Sequence, residues 1–192
     1  MSTAKQLHVF EHESTITSAQ FSQDESRVLT ASSGRTSWYA TSNGVRLNEG
    51  SGPSDEHSVR VWDATSGKQL LRIDHPSGVT ASLSPDSDQI VSVSGNQITW
   101  WDAKSGDRLA DMESGGTQGR AVFSPDRRYV VVFYEGKTAR LWDVVARRRI
   151  GQLLTGDAQR NEWSSDSRTF YSLTRRGTLR SWDVEESQEK LQ

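Results

Sequence analysis

The stretch 59–67, which reads Val-Arg-Val-Trp-Asp-Ala-Thr-Ser-Gly, decides how the rest of the chain is interpreted. Val59 and Val61 alternate with Arg60 and Trp62, and this period of two is typical of a β-strand. The Ser and Gly that close the stretch are residues that tight turns favour. The stretch therefore predicts a short strand that ends at a turn.

The Trp-Asp pair of this strand recurs along the chain at nearly constant spacing. Trp62, Trp101, Trp142 and Trp182 each precede an Asp, at intervals of 39, 41 and 40 residues. A turn marker of the form apolar-Ser-x-Asp lies upstream of each pair, at 21–24, 83–86, 123–126 and 163–166. A unit of about 40 residues, built of short strands and turns, is therefore predicted to repeat.

The N-terminus follows the same repeat frame, because Lys5-Gln6-Leu7 and His12 match Lys68-Gln69-Leu70 and His75. A unit of four short strands cannot bury both of its faces alone, whereas stacked units can. These markers resemble the WD-repeat family of β-propellers over nearly the whole chain. The resemblance implies an all-β fold: a β-propeller domain across 1–192 with about four four-stranded antiparallel blades, forming a partial or small propeller.

The resemblance also implies a structural hydrogen-bond network within each blade. In the family, a His before the first strand, a Ser or Thr in the second, an Asp in the next turn and the Trp are joined by hydrogen bonds. The first copy of this set is expected to be His12, Thr30, Asp55 and Trp62, and the second to be His75, Ser92 and Trp101. The third and fourth copies lack the His, so their blades are expected to be less firmly fixed.

The first copy departs from the period because an irregular segment, 33–57, separates its turn marker from Trp62. One interpretation is a loop inserted between the second and third strands. The other, slightly favoured, is a damaged extra repeat, because Trp38 follows Phe21 at nearly the usual spacing and precedes a similar turn sequence.

Four blades are fewer than the seven that the family commonly has. A closed four-bladed ring is one outcome, since propellers of four blades exist. An open set would leave two apolar faces exposed, which favours either a fragment of a longer propeller or self-association that completes a ring.

Composition and spacing argue against catalysis, metal binding and nucleic-acid binding. The net charge is −2 and there is no Cys. No His pair has metal-ligand spacing, and nucleophile elbows and phosphate loops are absent. We therefore expect no catalytic residues, no metal and no cofactor. A propeller enzyme with a channel-lined site, and a truncated or engineered fragment without independent function, are the alternatives to a function in binding.

The remaining function class is binding by the turns at one face of the blades. We expect a non-catalytic protein–protein interaction scaffold whose partner is a protein or peptide, without membrane or nucleic-acid contact. The chain has no apolar secretory segment at its N-terminus and no Cys, so we expect a cytoplasmic location. The candidate contact residues are aromatic anchors and basic residues in the turns: Trp38, Tyr39, Tyr134, Lys137, Arg175 and Arg176.

Overall fold

A computed structural model describes the protein over 6–34, 41–42, 45–46, 56–116, 119–134, 138–153, 158–174 and 176–185. These residues form seventeen strands and no helix, and every strand pair is antiparallel. The strands are β1(Thr15–Phe21), β2(Arg27–Ser33), β3(Thr41–Ser42), β4(Val45–Arg46), β5(Ser58–Asp63), β6(Gln69–Asp74), β7(Val79–Leu83), β8(Gln89–Ser94), β9(Gln97–Asp102), β10(Arg108–Glu113), β11(Gly119–Phe123), β12(Tyr129–Tyr134), β13(Thr138–Asp143), β14(Arg148–Leu153), β15(Ala158–Trp163), β16(Thr169–Thr174) and β17(Leu179–Asp183). The described part of the chain contains no helix that is long and apolar enough to cross a membrane.

Four sheets correspond to the four predicted repeats, which confirms the all-β propeller class. Blade 1 has the order β1-β2-β5-β6, blade 2 comprises β7 to β10 and blade 3 comprises β11 to β14, with neighbours in chain order. Blade 4 has three strands, β15, β16 and β17, among the described residues. A small hairpin, β3-β4, stands apart from these blades.

A β-turn of constant geometry joins the first two strands of each blade. Its Ser hydroxyl donates to the Asp carboxylate at 2.6 Å in all four copies: Ser22–Asp24, Ser84–Asp86, Ser124–Asp126 and Ser164–Asp166. The residue after each Asp is left-handed, with φ between 56° and 68°. The marker that defines the repeat in sequence is therefore a single rigid turn, repeated four times.

The Asp of each Trp-Asp pair ends the third strand and caps the turn that follows. Its Oδ1 accepts a backbone N–H two or three residues later, as Asp102 does from Ser105 at 2.8 Å and Asp143 does from Ala146 at 2.7 Å. These carboxylates are therefore turn residues, as their position in the repeat predicts.

Apolar side chains between successive sheets hold the blades in a row. Leu29 and Val61 of blade 1 pack with Val79 and Leu83 of blade 2. The next interface packs Val93 and Trp100 against the first strands of blade 3, and a third cluster joins blade 3 to blade 4 through Phe170. These three clusters join blade 1 to blade 2, blade 2 to blade 3 and blade 3 to blade 4.

The irregular segment connects two strands that are direct neighbours. β2 pairs with β5 from Arg27↔Asp63 to Ala31↔Val59, so Trp62 belongs to the third strand of blade 1. Within the segment the structure describes Gly34, the backbone of β3 and β4, and the residues from Glu56 onward. Trp38, which suggested a damaged repeat, lies outside the described residues, and the choice between insertion and damaged repeat stays open.

Candidate binding surface and the polar network beneath it

The first blade brings His12, Thr30 and Trp62 together at its core. His12 Nε2 lies 2.6 Å from Thr30 Oγ1, and Trp62 Nε1 donates to the same hydroxyl at 2.8 Å. The strand register explains this meeting, because Thr30 lies opposite Arg60, and Arg60 shares a strand face with Trp62 two residues later. Asp55, predicted as the fourth member, lies outside the described residues.

A neighbouring carboxylate, Glu56, completes the network at the place expected for an Asp. Its Oε1 accepts from the Ser58 hydroxyl at 2.8 Å and pairs with Arg60, while its Oε2 accepts the Glu13 N–H at 2.7 Å. His12 Nδ1 stands 3.7 Å from Oε1, which is too far for a hydrogen bond. Glu56, Arg60 and His12 are thus a buried charged cluster under the first turn.

Sequence reasoning missed Glu56, although the strand period could have indicated it. Glu56 precedes Ser58, Arg60 and Trp62 at intervals of two, and alternate residues of a strand share a face. Asp55 has the opposite parity in the sequence, so the strand period does not group it with Ser58, Arg60 and Trp62.

Burial and the neighbouring charges shift the pKa values of His12 and Glu56. Burial, followed by the positive charge of Arg60, lowers the pKa of His12 to about 4. Burial alone would raise the pKa of Glu56, but hydrogen bonds from Ser58 and the Glu13 N–H, together with Arg60, hold it below its ordinary value. At neutral pH the cluster is therefore a carboxylate, a guanidinium and a neutral imidazole.

The second blade repeats the triple without the charges. His75 Nε2 lies 3.0 Å from Ser92 Oγ, and Trp101 Nε1 donates to that oxygen at 2.8 Å. Burial again lowers the pKa of the imidazole. A His, a hydroxyl residue (Thr30 or Ser92) and a Trp thus meet in the same register in the two blades that carry the His.

The third and fourth blades leave part of this network without partners. Val132 occupies the hydroxyl position of blade 3, and Trp142 Nε1 has no hydrogen-bond partner among the described atoms. In blade 4 the Ser172 hydroxyl is buried and equally unpaired. Blades 3 and 4 therefore lack the hydrogen bonds that join His, hydroxyl and Trp in blades 1 and 2.

The Thr30–His12–Glu56 arrangement has the composition of a nucleophilic triad but not its geometry. The Thr30 hydroxyl is only 3% exposed and already accepts the indole N–H of Trp62. The imidazole does not hydrogen-bond the carboxylate, whose oxygens are taken by Arg60, Ser58 and a backbone N–H. A nucleophile needs access to substrate and an oriented base, so this cluster is suited to a structural role.

The predicted contact residues fall into three groups. Trp38, Tyr39, Lys137 and Arg175 lie outside the described residues. Arg176 is exposed in the turn between β16 and β17. Tyr134 lies in the core at 8% exposure, and burial raises its pKa to about 12. Tyr134 therefore does not offer the surface anchor that was expected, because its ring packs beneath Gly116 and the Arg140 guanidinium.

Side-chain hydrogen bonds fix the turns at one end of blades 1 to 3, which we call the turn face. It comprises the turns before the first strand and between the second and third strands of each blade. The Ser14 hydroxyl donates to Glu56 O at 2.8 Å, Ser77 and Ser94 hydroxyls lie 2.9 Å apart, and Ser114 donates to Asn96 Oδ1 at 3.1 Å. Both kinds of turn are thereby tied together before any partner arrives.

The opposite end of the blades carries the repeated Ser-x-Asp turns. A shallow, open depression of about 420 Å³ lies there between blades 1 and 2, lined by Gln23, Asp24, Pro85, Asp86 and Ser87. The part of the chain that the structure describes contains no cluster of three or more His, Asp or Glu side chains able to hold a metal ion.

One comparison with known proteins bears on these observations. The sequence profile of the family described as "WD domain, G-beta repeat" matches residues 4–38, which include β1 and β2. No curated protein matches the chain. The matched segment ends at Trp38, whereas the strand that pairs with β2 in the structure contains Trp62.

Proposed function

We propose that this chain, which is a WD-repeat protein, works as a non-catalytic scaffold that binds a protein or peptide on its turn face. Repeats of this family generally mediate contacts between proteins. A second copy of the chain is one such partner, because both ends of the row of blades expose apolar side chains. The proposed setting is the cytoplasm.

The observation that carries the proposal is the set of hydrogen bonds within the turn face. Ser14, Ser77 and Ser114 each link a turn before a first strand to another part of that face. Arg140 adds a bond from its Nη2 to Gly115 O at 3.1 Å. Loops ordered in advance lose less conformational entropy on binding, so a rigid turn face favours recognition.

Peptide selection with matched variants tests this proposal. A random peptide library displayed on phage is selected on the wild-type chain, and the selected peptides are then measured against Arg176→Glu and Asn96→Arg. Both residues are exposed on the turn face. We expect each change to weaken binding about tenfold or more.

The control is Arg168→Glu, an exposed arginine at the opposite end of blade 4. It carries the same change of charge, and we expect it to leave peptide binding unchanged. Equal binding of the selected peptides to all variants would remove the turn face from the proposal.

A further inference from the structure

Blade 4 exposes a face that the earlier blades bury. Leu173 and Leu179 lie opposite each other in the β16–β17 pair and are 37% and 64% exposed. Their counterparts in blade 2 are Val93 and Ile98, also directly opposite each other, and these are 2% and 0% exposed beneath blade 3. The blade 4 end face therefore has the apolar pattern of a blade–blade interface without its cover.

Blade 1 exposes the complementary side chain at the other end of the row. Phe21 closes β1 and is 60% exposed. The residues at its register position in later blades, Leu83, Phe123 and Trp163, are buried. Trp163 shows what this position does, because its ring stacks on Tyr129 of the preceding blade with a centroid distance of 6.2 Å. Phe21 has the place of such a ring, but its side chain is largely exposed.

The N-terminal segment 6–10 lies beside blade 1, on the side that another blade would cover. In the repeat frame His8 corresponds to Leu71 of β6, the outer strand of blade 1. The His8 ring lies against Gly67 just as Leu71 lies against Gly106 of the next blade, and His8 Nε2 lies 2.7 Å from Thr65 O. Leu7 and Val9 of the segment are exposed. The segment therefore stands beside blade 1 as an outer strand stands beside the blade that follows it.

We propose that these two ends pair head to tail between two copies of the chain, with Phe21 of each copy packing at the Thr169 end of β16 of the other, as Trp163 packs on Tyr129. The start of β1 then covers Leu173 and Leu179 of the other copy, as Gly119 at the start of β11 lies against Val93. Both faces have counterparts in the interfaces built within the chain, so a second copy supplies the matching half at each end. Such heterologous contacts close when the rotation permits. Two copies give eight blades, which lies within the usual range of four to eight, whereas three copies exceed it.

The oligomeric mass is the first test, and it does not depend on peptide binding at the turn face. Sedimentation velocity over a range of concentrations should show a species of twice the 21.4 kDa of one chain. Leu173→Glu with Leu179→Glu, and separately Phe21→Glu, should each raise the dissociation constant about tenfold or more, because burying an unpaired charge is costly. These side chains are exposed, so the changes leave the fold of one copy intact.

The control variant is Val145→Glu, which changes an exposed apolar residue of blade 3 outside both end faces. We expect it to associate as the wild type does. A wild type that stays monomeric at all concentrations would overturn the proposal, and would mean that the blade 4 end face is covered by other residues of the chain or by the remainder of a longer one. Loss of association in the blade 4 variant alone would indicate face-to-face pairing, and would also overturn it.

Cross-linking tests the direction of pairing, since the chain contains no native Cys. Phe21→Cys and Thr169→Cys proteins are prepared separately, mixed and oxidised, because Thr169 is the register counterpart of Tyr129. Head-to-tail pairing gives a disulfide between the two different variants, and each variant alone gives little. Preferential linking of either variant to itself would contradict the proposal. A double variant that links within one chain at high dilution would show a closed four-bladed ring, which also contradicts it.

Discussion

At the scale of single residues, the buried charges of blade 1 are its most consequential feature. Glu56 and Arg60 are both nearly buried and form an ion pair, and Arg60 also donates to Glu11 O at 3.0 Å. A buried ion pair stabilises the fold little more than apolar residues of the same volume would. Removing one member is nevertheless costly, because it leaves the other charge buried without a counter-charge. The cluster thus joins residues 11–13, which precede β1, to Glu56 and to Arg60 of β5.

Glu56→Gln should destabilise the protein strongly although it preserves the side-chain shape. The change leaves Arg60 buried without a counter-charge, and we expect the free energy of unfolding to fall by about 3 kcal/mol. Urea unfolding followed by tryptophan fluorescence measures it. Glu113→Gln, on an exposed position of β10, should change stability by less than about 0.5 kcal/mol. Equal effects of the two changes would contradict the buried-pair assignment.

Acid should weaken the fold through His12 before it protonates Glu56. The pKa of His12 is about 4 in the folded state and ordinarily 6.5, so the unfolded chain binds more protons between these values. Stability should therefore fall as the pH drops from about 6.5 towards 4. His12→Gln should reduce this slope when unfolding midpoints are measured across the same range. An unchanged slope would mean that His12 does not titrate in this way.

The residues of the polar network show what sequence can predict and where it stops. The repeat frame indicated which His, Ser or Thr and Trp meet, because strand register repeats with the period of about 40 residues. It did not indicate Glu56, since the expectation was transferred from the family's Asp rather than derived from strand parity. Its position near a turn predicts an exposed Tyr134, but Gly116 leaves room for the ring in the core, where Tyr134 is 8% exposed.

At the scale of elements, the turn after the Trp-Asp strand contains a left-handed residue in blades 1 to 3. Gly106 occupies this position with φ 77°, and in blade 3 the same position holds Arg147 with φ 50°. Gly106→Ala should lower the free energy of unfolding by about 1–2 kcal/mol, because left-handed geometry disfavours a β-carbon. Leu71 also lies close enough to obstruct that β-carbon.

The matched change is Arg147→Gly, which removes a β-carbon from the same turn position. We expect it to have no destabilising effect, or to stabilise by up to about 1 kcal/mol, despite loss of the bond from Arg147 Nη1 to Leu109 O. Chemical unfolding of both variants measures the contrast. A fall in stability for Arg147→Gly as large as for Gly106→Ala would contradict the account of this turn.

The irregular segment of blade 1 should be dispensable for the pairing of β2 with β5. The Gly34 N–H donates to His57 Nδ1 at 3.0 Å, so the two ends of the segment meet. Replacing residues 35–55 by Asn-Gly, which favours a two-residue hairpin, should keep a cooperative transition and the tryptophan signal of Trp62. Loss of folding in this variant would show that the segment supplies part of the core, as a damaged repeat would.

At the scale of the whole molecule, the sequence predicts the blades better than their arrangement. Each blade is set by local signals, the alternation of its strands and the residues of its turns, and these repeat four times. A closed ring forms only if the end faces of blade 1 and blade 4 meet. Whether they meet depends on the angles between all successive blades, and no single sequence motif encodes those angles. The exposure of Phe21 and Leu179 follows from the register of the blades and is not indicated by the sequence.

The end blade should open more readily than the blades inside the row. In a linear array each unit is stabilised by its neighbours, and blade 4 has an apolar neighbour on one side among the described residues. Tyr171 and Leu173 of β16 are exposed where Val131 of β12 is fully buried. Native-state hydrogen exchange, measured at concentrations where the chain is monomeric, should therefore show β16 amides exchanging about tenfold or more faster than those of β12.

Strand β8 is the internal reference, because it lies between two blades like β12 and should exchange at a similar rate. If two copies pair as proposed, raising the protein concentration should slow exchange in β16 and leave β8 nearly unchanged, since only the end faces become covered. Slow exchange in β16 at every concentration would mean that its apolar face is covered within a single chain. That result would contradict a row with an exposed end, whereas fast exchange at every concentration would contradict the pairing alone.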